Sequence, residues 1–312
     1  MKHIHKKANL ISSLILMIAV FSIFGCKKEL NLQEDPLDEL SEATFWNTRD
    51  DAVKALTACY RSEDWTGWWN NFNGWNIVGI KFEGWTDILS NKEFGSGFPQ
   101  AGIVPTDPQI HDMWSSSYAR IARVNYFLEN ISRVQMDDSE RAQMIGEVKF
   151  IRAYSYFWLS QLYGDVPLTD KTLSFEEANS IKQSPKADVV NFALNDLEEA
   201  IPDLPVKRSA EEKGRIEKGA ALALKGRFLM AEQRWQEAAE TYKQLIDLNR
   251  YIIDPLFKEL FEDAGDNSDE IILSRKYMQD MDENLLRNWL PFPGGMAGIP
   301  NSLFSRISLI NF

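Results

Sequence analysis

Two cysteines and three histidines are all that a 312-residue chain offers in thiol and imidazole ligands. His3 and His5 lie in a basic leader, which leaves His111 as the one histidine beyond it, too little for a zinc site of nitrogen and sulfur ligands. No Gly-x-Ser-x-Gly elbow and no phosphate-cradling glycine-rich loop occurs, so neither the serine-hydrolase nor the nucleotide-binding signature is present. Cationic side chains are also short: 34 Lys and Arg stand against 46 Asp and Glu, a net charge of -12. Affinity for nucleic acid rests on cations neutralising phosphates, and this balance speaks against it. The long apolar run Leu14–Phe24, broken by Ser22, has eleven residues, too few for a helix across a hydrocarbon layer of about 30 Å.

What the chain does have is burial potential. It is 44% hydrophobic, with ten Trp, eighteen Phe and nine Tyr, enough for one large or two ordinary domains with a real core. Lys2, Lys6 and Lys7 precede the apolar run as in a secretory signal segment. The run ends at Ile23-Phe24-Gly25-Cys26, which resembles a bacterial lipobox, so Cys26 is the expected lipidation site and residues 1–25 the removed signal peptide. The alternative is an ordinary exported protein with an unmodified Cys26. Removing residues 1–25 takes three lysines and no acid, leaving a net charge of -15. Two acyl chains then give durable anchoring of a soluble domain to a membrane, and Cys59 is left without a disulfide partner. Residues 26–45 are polar, with Pro36 among Glu34, Asp35, Asp38 and Glu39, and read as a tether.

From residue 46 to 250 the pattern is helical. Thr48-Arg49-Asp50-Asp51 matches a capping box and predicts a helix to Tyr60. Helices are predicted over 112–134 and 139–163, the second with Met144, Val148, Ile151, Ser155, Trp158 and Leu162 on one stripe and Phe150, Tyr154 and Phe157 on another. A helix apolar round most of its circumference belongs in a core, and Gly164 with Pro167 beyond it predicts the stop. Ser184 and Pro185 suit an N-cap and first position of a helix closed before Pro202. Residues 216–248 read as a helix pair joined near Gln233-Arg234, with Gly226, Ala238 and Tyr242 at the small, small and aromatic positions of a tetratricopeptide repeat. Beyond 250 the helical period ends; Ile271-Ile272-Leu273 is a strand candidate, and 289–300 is a proline- and glycine-rich apolar loop. Arg152, in the middle of a buried helix, needs an acid, for which Glu147 and Asp165 are the candidates.

Residues 65–105 are irregular and rich in Trp, Gly and Asn, and long irregular loops are often functional. Trp65, Trp68, Trp69, Trp75 and Trp85 interleave with Asn70, Asn71, Asn73 and Asn76. Sugar C–H faces stack on aromatic rings, and sugar hydroxyls need partners that both donate and accept, as Asn does. Trp65, Trp68, Trp69, Asn71, Asn73, Trp75 and Trp85 are therefore the candidate glycan-binding residues; the competing reading has these rings burying the loop against helices. Glycosidase chemistry needs two opposed carboxylates. Glu83 and Asp87 flank Trp85, but among 46 acids such a spacing arises by chance, so the expectation is a protein that is not an enzyme. The acids Glu262, Asp263, Asp266, Asp269 and Glu270 lack EF-hand spacing and read as a solvated run.

Several blocks, in order, resemble the SusD/RagB family of surface glycan-binding lipoproteins: MWSSSYARIARVNYFLENI (113–131), ERAQMIGEVKFIRAYSYFWLSQLYGDVPL (140–168), DLEEAIPDLP (196–205), GRIEKGAALALKGRFLMAEQRWQEAAE (214–240) and SDEIILS (268–274). The resemblance implies a mainly α fold of tetratricopeptide-like stacked hairpins over 46–250 carrying an irregular subdomain that begins at 251–312. It implies residence at the outer membrane, an oligosaccharide ligand, no cofactor, and a SusC-like TonB-dependent transporter as partner. It also implies that the segment NSLFSRISLINF (301–312) opens a long stretch which this chain does not continue. The alternative function is a helical-repeat lipoprotein that binds only protein.

Overall fold

The computed structural model describes residues 45–60, 108–261, 265 and 267–274, and within them the first helix opens on a reciprocal cap. The Thr48 N–H donates to Asp51 Oδ2 at 2.9 Å, and the Asp51 N–H donates to Thr48 Oγ1 at 3.3 Å. Two N–H groups at the helix start are thereby satisfied, and α1 runs Arg49–Tyr60 as predicted. Helix α2, Pro108–Asn130, begins earlier than predicted, because Pro108 has a fixed φ suited to the first helical position. A 3₁₀ turn, Ile131–Arg133, continues it.

Helix α3, Asp138–Tyr163, is capped by Asp137, whose carboxylate accepts from the Ser139 and Glu140 N–H groups. It ends at Gly164 with φ 74°, a left-handed conformation that glycine adopts without Cβ strain. The two predicted stripes meet neighbours on several sides: α3 packs most extensively on α5 and next on α2, with lighter contact to α1 and α6. Met144, Val148, Tyr156 and Leu159 are fully buried. The predicted stripe opens at its far end, where Trp158 is half-buried and Leu162 is exposed.

Between α3 and α5 lies an excursion that sequence periodicity did not reveal. Strands β1, Val166–Pro167, and β2, Gln183–Ser184, pair antiparallel with Val166 opposite Ser184. Helix α4, Phe175–Ser180, sits between them with a full capping box of Ser174 and Glu177. Lys171, then the Ser174 bonds, hold the Glu177 carboxyl down at about 2, and cap bonds hold Asp51 and Asp137 below the usual carboxylate range. A carboxyl whose folded pKa is depressed adds stability above its unfolded pKa and loses it as pH falls through the folded value. The Glu177 cap is therefore expected to weaken between about pH 4.5 and pH 2, and the Asp51 and Asp137 caps to weaken as pH falls below the ordinary carboxylate range. An acid titration of backbone amide shifts checks this, and helix starts that hold unchanged to pH 2 would contradict it.

Helix α5 is Lys186–Asp203, and it differs from prediction at both ends. Ser184 lies in β2, Pro185 takes the N-cap position, and the Lys186 N–H is satisfied by Asp165 Oδ1 at 2.8 Å from across the excursion. At the other end the helix includes Pro202, because only one N–H is lost there and the Leu204 N–H still donates to the Ala200 carbonyl at 3.1 Å.

Helices α6, Lys218–Ala231, and α7, Trp235–Asp247, form the predicted hairpin. Gln233, at φ 58°, makes the tight join. A Cβ on Gly226 would lie 2.5 Å from Tyr242 Cζ, and one on Gly219 would overlap the Tyr251 hydroxyl. Positions 219 and 226 are two turns apart, so one face of α6 receives both rings. Gly226→Val is expected to cost about 1–3 kcal/mol through overpacking, read by denaturant unfolding; an unchanged midpoint would mean that Tyr242 swings aside freely. Ile271–Leu273 is not a strand: the Ile271 N–H closes a turn on the Ser268 carbonyl, and it is the residues just before it, Asp269 and Glu270, that bond to Arg250, Ile252 and Asp254.

Candidate functional site

The predicted glycan-contacting residues Trp65, Trp68, Trp69, Asn71, Asn73, Trp75 and Trp85 lie outside the described residues, as do Cys26, Glu83 and Asp87. What is described is the scaffold on either side of them. At the end of α1 the half-buried Tyr60 has its hydroxyl committed twice: it donates to Glu147 and accepts from the Ile216 N–H at 2.9 Å. Burial, then the adjoining carboxylate, pushes this phenol well above its ordinary range.

Glu147 is the hub of that corner. Its side chain is fully buried, a placement that is costly for a carboxylate unless it is paired and hydrogen-bonded. Arg208 donates to Oε1 at 2.7 Å, and Arg215 donates to Oε2 at 3.0 Å and to Oε1 at 2.5 Å. Arg208 spends its other donors on Gln143 at 3.1 Å and on the Ile216 carbonyl at 3.3 Å. One carboxylate thus ties α1, α3 and the loop from α5 to α6 together.

Where the chain is next described, at the start of α2, a second phenol does similar work. The Tyr163 hydroxyl donates to the Ile110 carbonyl at 2.6 Å, and burial raises its pKa to about 12. Trp114 lies edge-on to Tyr163 at 5.1 Å and beside Tyr118 at 5.0 Å. Tyr118 in turn donates to the Pro167 carbonyl at 2.7 Å, holding the excursion.

Arg152 pairs with neither sequence candidate. Its Nε and Nη2 each meet an Asp196 oxygen at 2.7 Å, and Nη1 donates to Asn125 Oδ1 at 2.7 Å. Glu147 is taken by Arg208 and Arg215, and Asp165 caps α5. Asp196 comes from a helix 44 residues away, so helical spacing could not have singled it out. Asn125 then donates to the Thr169 and Lys171 carbonyls at 3.3 and 2.9 Å, extending the pair into the excursion.

Of the tryptophans that are described, Trp46 is buried against Tyr126 and Phe127 at 5.8 and 5.7 Å. Trp158 and Phe157 carry the Arg227 guanidinium at 5.4 and 5.2 Å. Trp235, at the start of α7, is 60% exposed. His111 is exposed beside Ser115 at 3.3 Å. Asp269 is engaged by Arg250, and Glu270 by the Asp254 N–H at 2.7 Å; no group able to hold a metal ion occurs among the described residues. No helix among them is long and apolar enough to cross a membrane.

Residues 39–230 match the model of a SusD-like family described as starch-binding and associating with the outer membrane. This chain belongs to the SusD-like family. SusD-like proteins P25 and P38 of Formosa agariphila are 23% and 24% identical to it over 279 and 299 residues. Those matches take in 86% and 89% of this chain but 52% and 56% of the relatives; the chain spans about half the length of the curated relatives it matches. A SusD-like carbohydrate-binding protein from Bacteroides fragilis superposes with a TM-score of 0.66 at 29% identity, covering 75% of this chain and 47% of that one. A laminarin-binding SusD-like protein superposes at 0.64 with 26% identity, covering 74% and 52%. The mainly helical SusD-like architecture expected from the sequence is the one observed. These two SusD-like neighbours are described as binding carbohydrate and laminarin.

Proposed function

We propose that this SusD-like protein captures oligosaccharides at the outer membrane and passes them to a SusC-like TonB-dependent transporter, with no catalysis of its own. Diacylated Cys26 holds it to the membrane at the cell surface. The observation that carries this reading is family membership, together with the resemblance in fold and sequence to a laminarin-binding SusD-like protein. The sequence of residues 65–85, five tryptophans among asparagines, supplies the chemistry that sugars require. A few stacked rings and hydrogen bonds must offset ligand ordering, which sets single-site affinity at about -4 to -8 kcal/mol, micromolar to millimolar.

The test is a thermal melt of residues 27–312 with and without a panel of oligosaccharides and polysaccharides. A ligand specific for the native state adds about 2.7 kcal/mol at a hundredfold excess over its dissociation constant. A midpoint raised by one glycan class supports capture, and alanine at Trp65, Trp68, Trp69, Trp75 and Trp85 together is expected to abolish the shift. A cooperative melt that no glycan moves would favour the second reading, a helical-repeat module for protein partners. The exposed Trp235 and Ile246 on α7 are what speak for that one.

A further inference from the structure

The last described α-helix leaves an apolar stripe in water. Helix α7 buries Ala238 and Thr241, and among the described elements it packs extensively on α6 alone. Rotated away from that contact lie Trp235, 60% exposed, Ala239, and Ile246, 73% exposed, with the half-buried Tyr242 at their edge where its ring meets Gly226. Spacings of four, three and four residues keep the four side chains in one line along the helix.

That spacing is the same read from either end. Two copies of α7 laid antiparallel, with a two-fold axis between Glu240 and Thr241, bring Trp235 level with the partner's Ile246 and Ala239 level with the partner's Tyr242. Small then sits opposite large, as interdigitated helix packing requires. The flank away from α6 is complementary too: Lys243 falls within two residues' rise, about 3 Å, of the partner's Glu240, and the symmetry makes that pair twice. Lys243 is 74% exposed and paired with Asp247 in its own helix, and the exposed Glu240 accepts from Gln236 at 2.8 Å, so both can exchange partners at the surface. A bilayer suits this helix poorly, because Glu237, Glu240 and Asp247 outnumber Lys243 in it and interfacial helices are basic.

We infer that α7 pairs antiparallel with α7 of a second copy of this chain, through Trp235, Ala239, Tyr242 and Ile246. A 13-residue helix is about 20 Å long. The contact is therefore at the small end of specific interfaces, and its dissociation constant is on the order of 10–100 µM. The pairing does not depend on glycan capture.

The test is site-directed cross-linking of the full chain in mild detergent, with Ala239→Cys, a short bismaleimide, and the dimer band quantified on a denaturing gel. Gln244→Cys, exposed on the opposite face of α7, is the control with the same membrane anchor. The unsubstituted chain gives the background from Cys26 and from Cys59, whose buried thiol is held in the unreactive form. Ala239→Cys is expected to give at least about fivefold more dimer than Gln244→Cys, and adding Trp235→Glu to bring it down to the control. Trp235→Glu should not disturb folding, since the side chain is exposed and an acid suits the first turn of a helix. Lys243→Glu sets like charges together twice and is expected to lower the yield about threefold or more; adding Glu240→Lys restores it. Equal yields at 239 and 244, or a yield that Trp235→Glu leaves unchanged, would overturn the pairing. A charge reversal that is not rescued would overturn its antiparallel register. A cross-link from position 239 to some other protein, with none between copies, would assign the stripe to a different partner and overturn the inference.

Discussion

Glu147→Gln is expected to lower the thermal midpoint by roughly 10 °C. The substitution keeps the shape of the side chain and removes its charge, so Arg208 and Arg215 are left facing each other over a neutral amide. Arg208 is 2% exposed and Glu147 is fully buried, so water cannot make up the loss. Removing one member of a buried ion pair costs about 3–5 kcal/mol, mostly through the charge left behind. The exposed pair Arg49–Glu140 offers a contrast: Arg49 is 60% exposed, and Arg49→Ala is expected to stay within about 0.5 kcal/mol. Parallel melts of the two variants measure the difference. Equal small shifts would mean that the hub relaxes to let water in.

The second large effect is expected from Arg152→Met, again about 3–5 kcal/mol. Here the stranded group is an acid. Burial already raises the Asp196 pKa, against the opposing hydrogen bond from Arg152, so losing that bond raises it further. A group whose folded pKa lies above its unfolded value favours the folded state as pH falls. The Arg152→Met penalty is therefore expected to shrink on acidification from neutral pH towards the ordinary carboxylate range. Adding Asp196→Leu should restore most of the midpoint, since replacing both members of a buried pair by apolar groups is often close to neutral. Glycan affinity of the folded fraction should not change, and a loss of affinity without destabilisation would show that Arg152 serves the ligand rather than the scaffold.

Both effects depend on pairings that the sequence did not disclose, while much of the scaffold was legible. The Thr48–Asp51 cap, the stop at Gly164 and the Gly226–Tyr242 contact are local or fixed-spacing signals, so reading along the chain was enough to find them. Arg152 could be recognised as a buried charge from the helix that carries it, but its partner is a matter of which helix lies alongside. Every acid on every helix is equivalent until α5 is placed against α3. The same holds for Asp165, which caps α5 from 21 residues away, and for the two-residue strands, too short to leave a period. The run Ile271–Leu273 has strand composition without a strand to pair with among the described residues. The aromatic platform itself remains a reading of composition, because its residues lie outside those described.

Cys59 has a practical consequence for measuring how this scaffold moves. It is buried, its Sγ lies 3.7 Å from the Arg123 carbonyl, and burial pushes the thiol up to about 12. Thiol labelling proceeds through the thiolate, so at neutral pH almost none of this residue is in the reactive form. In residues 27–312 it is the one native cysteine. A cysteine introduced at an exposed position on α7 or in the excursion would then take up a maleimide dye alone, leaving Cys59 in the core undisturbed. Single-site fluorescence and paired-label distances are thus open to this protein without a cysteine-free background.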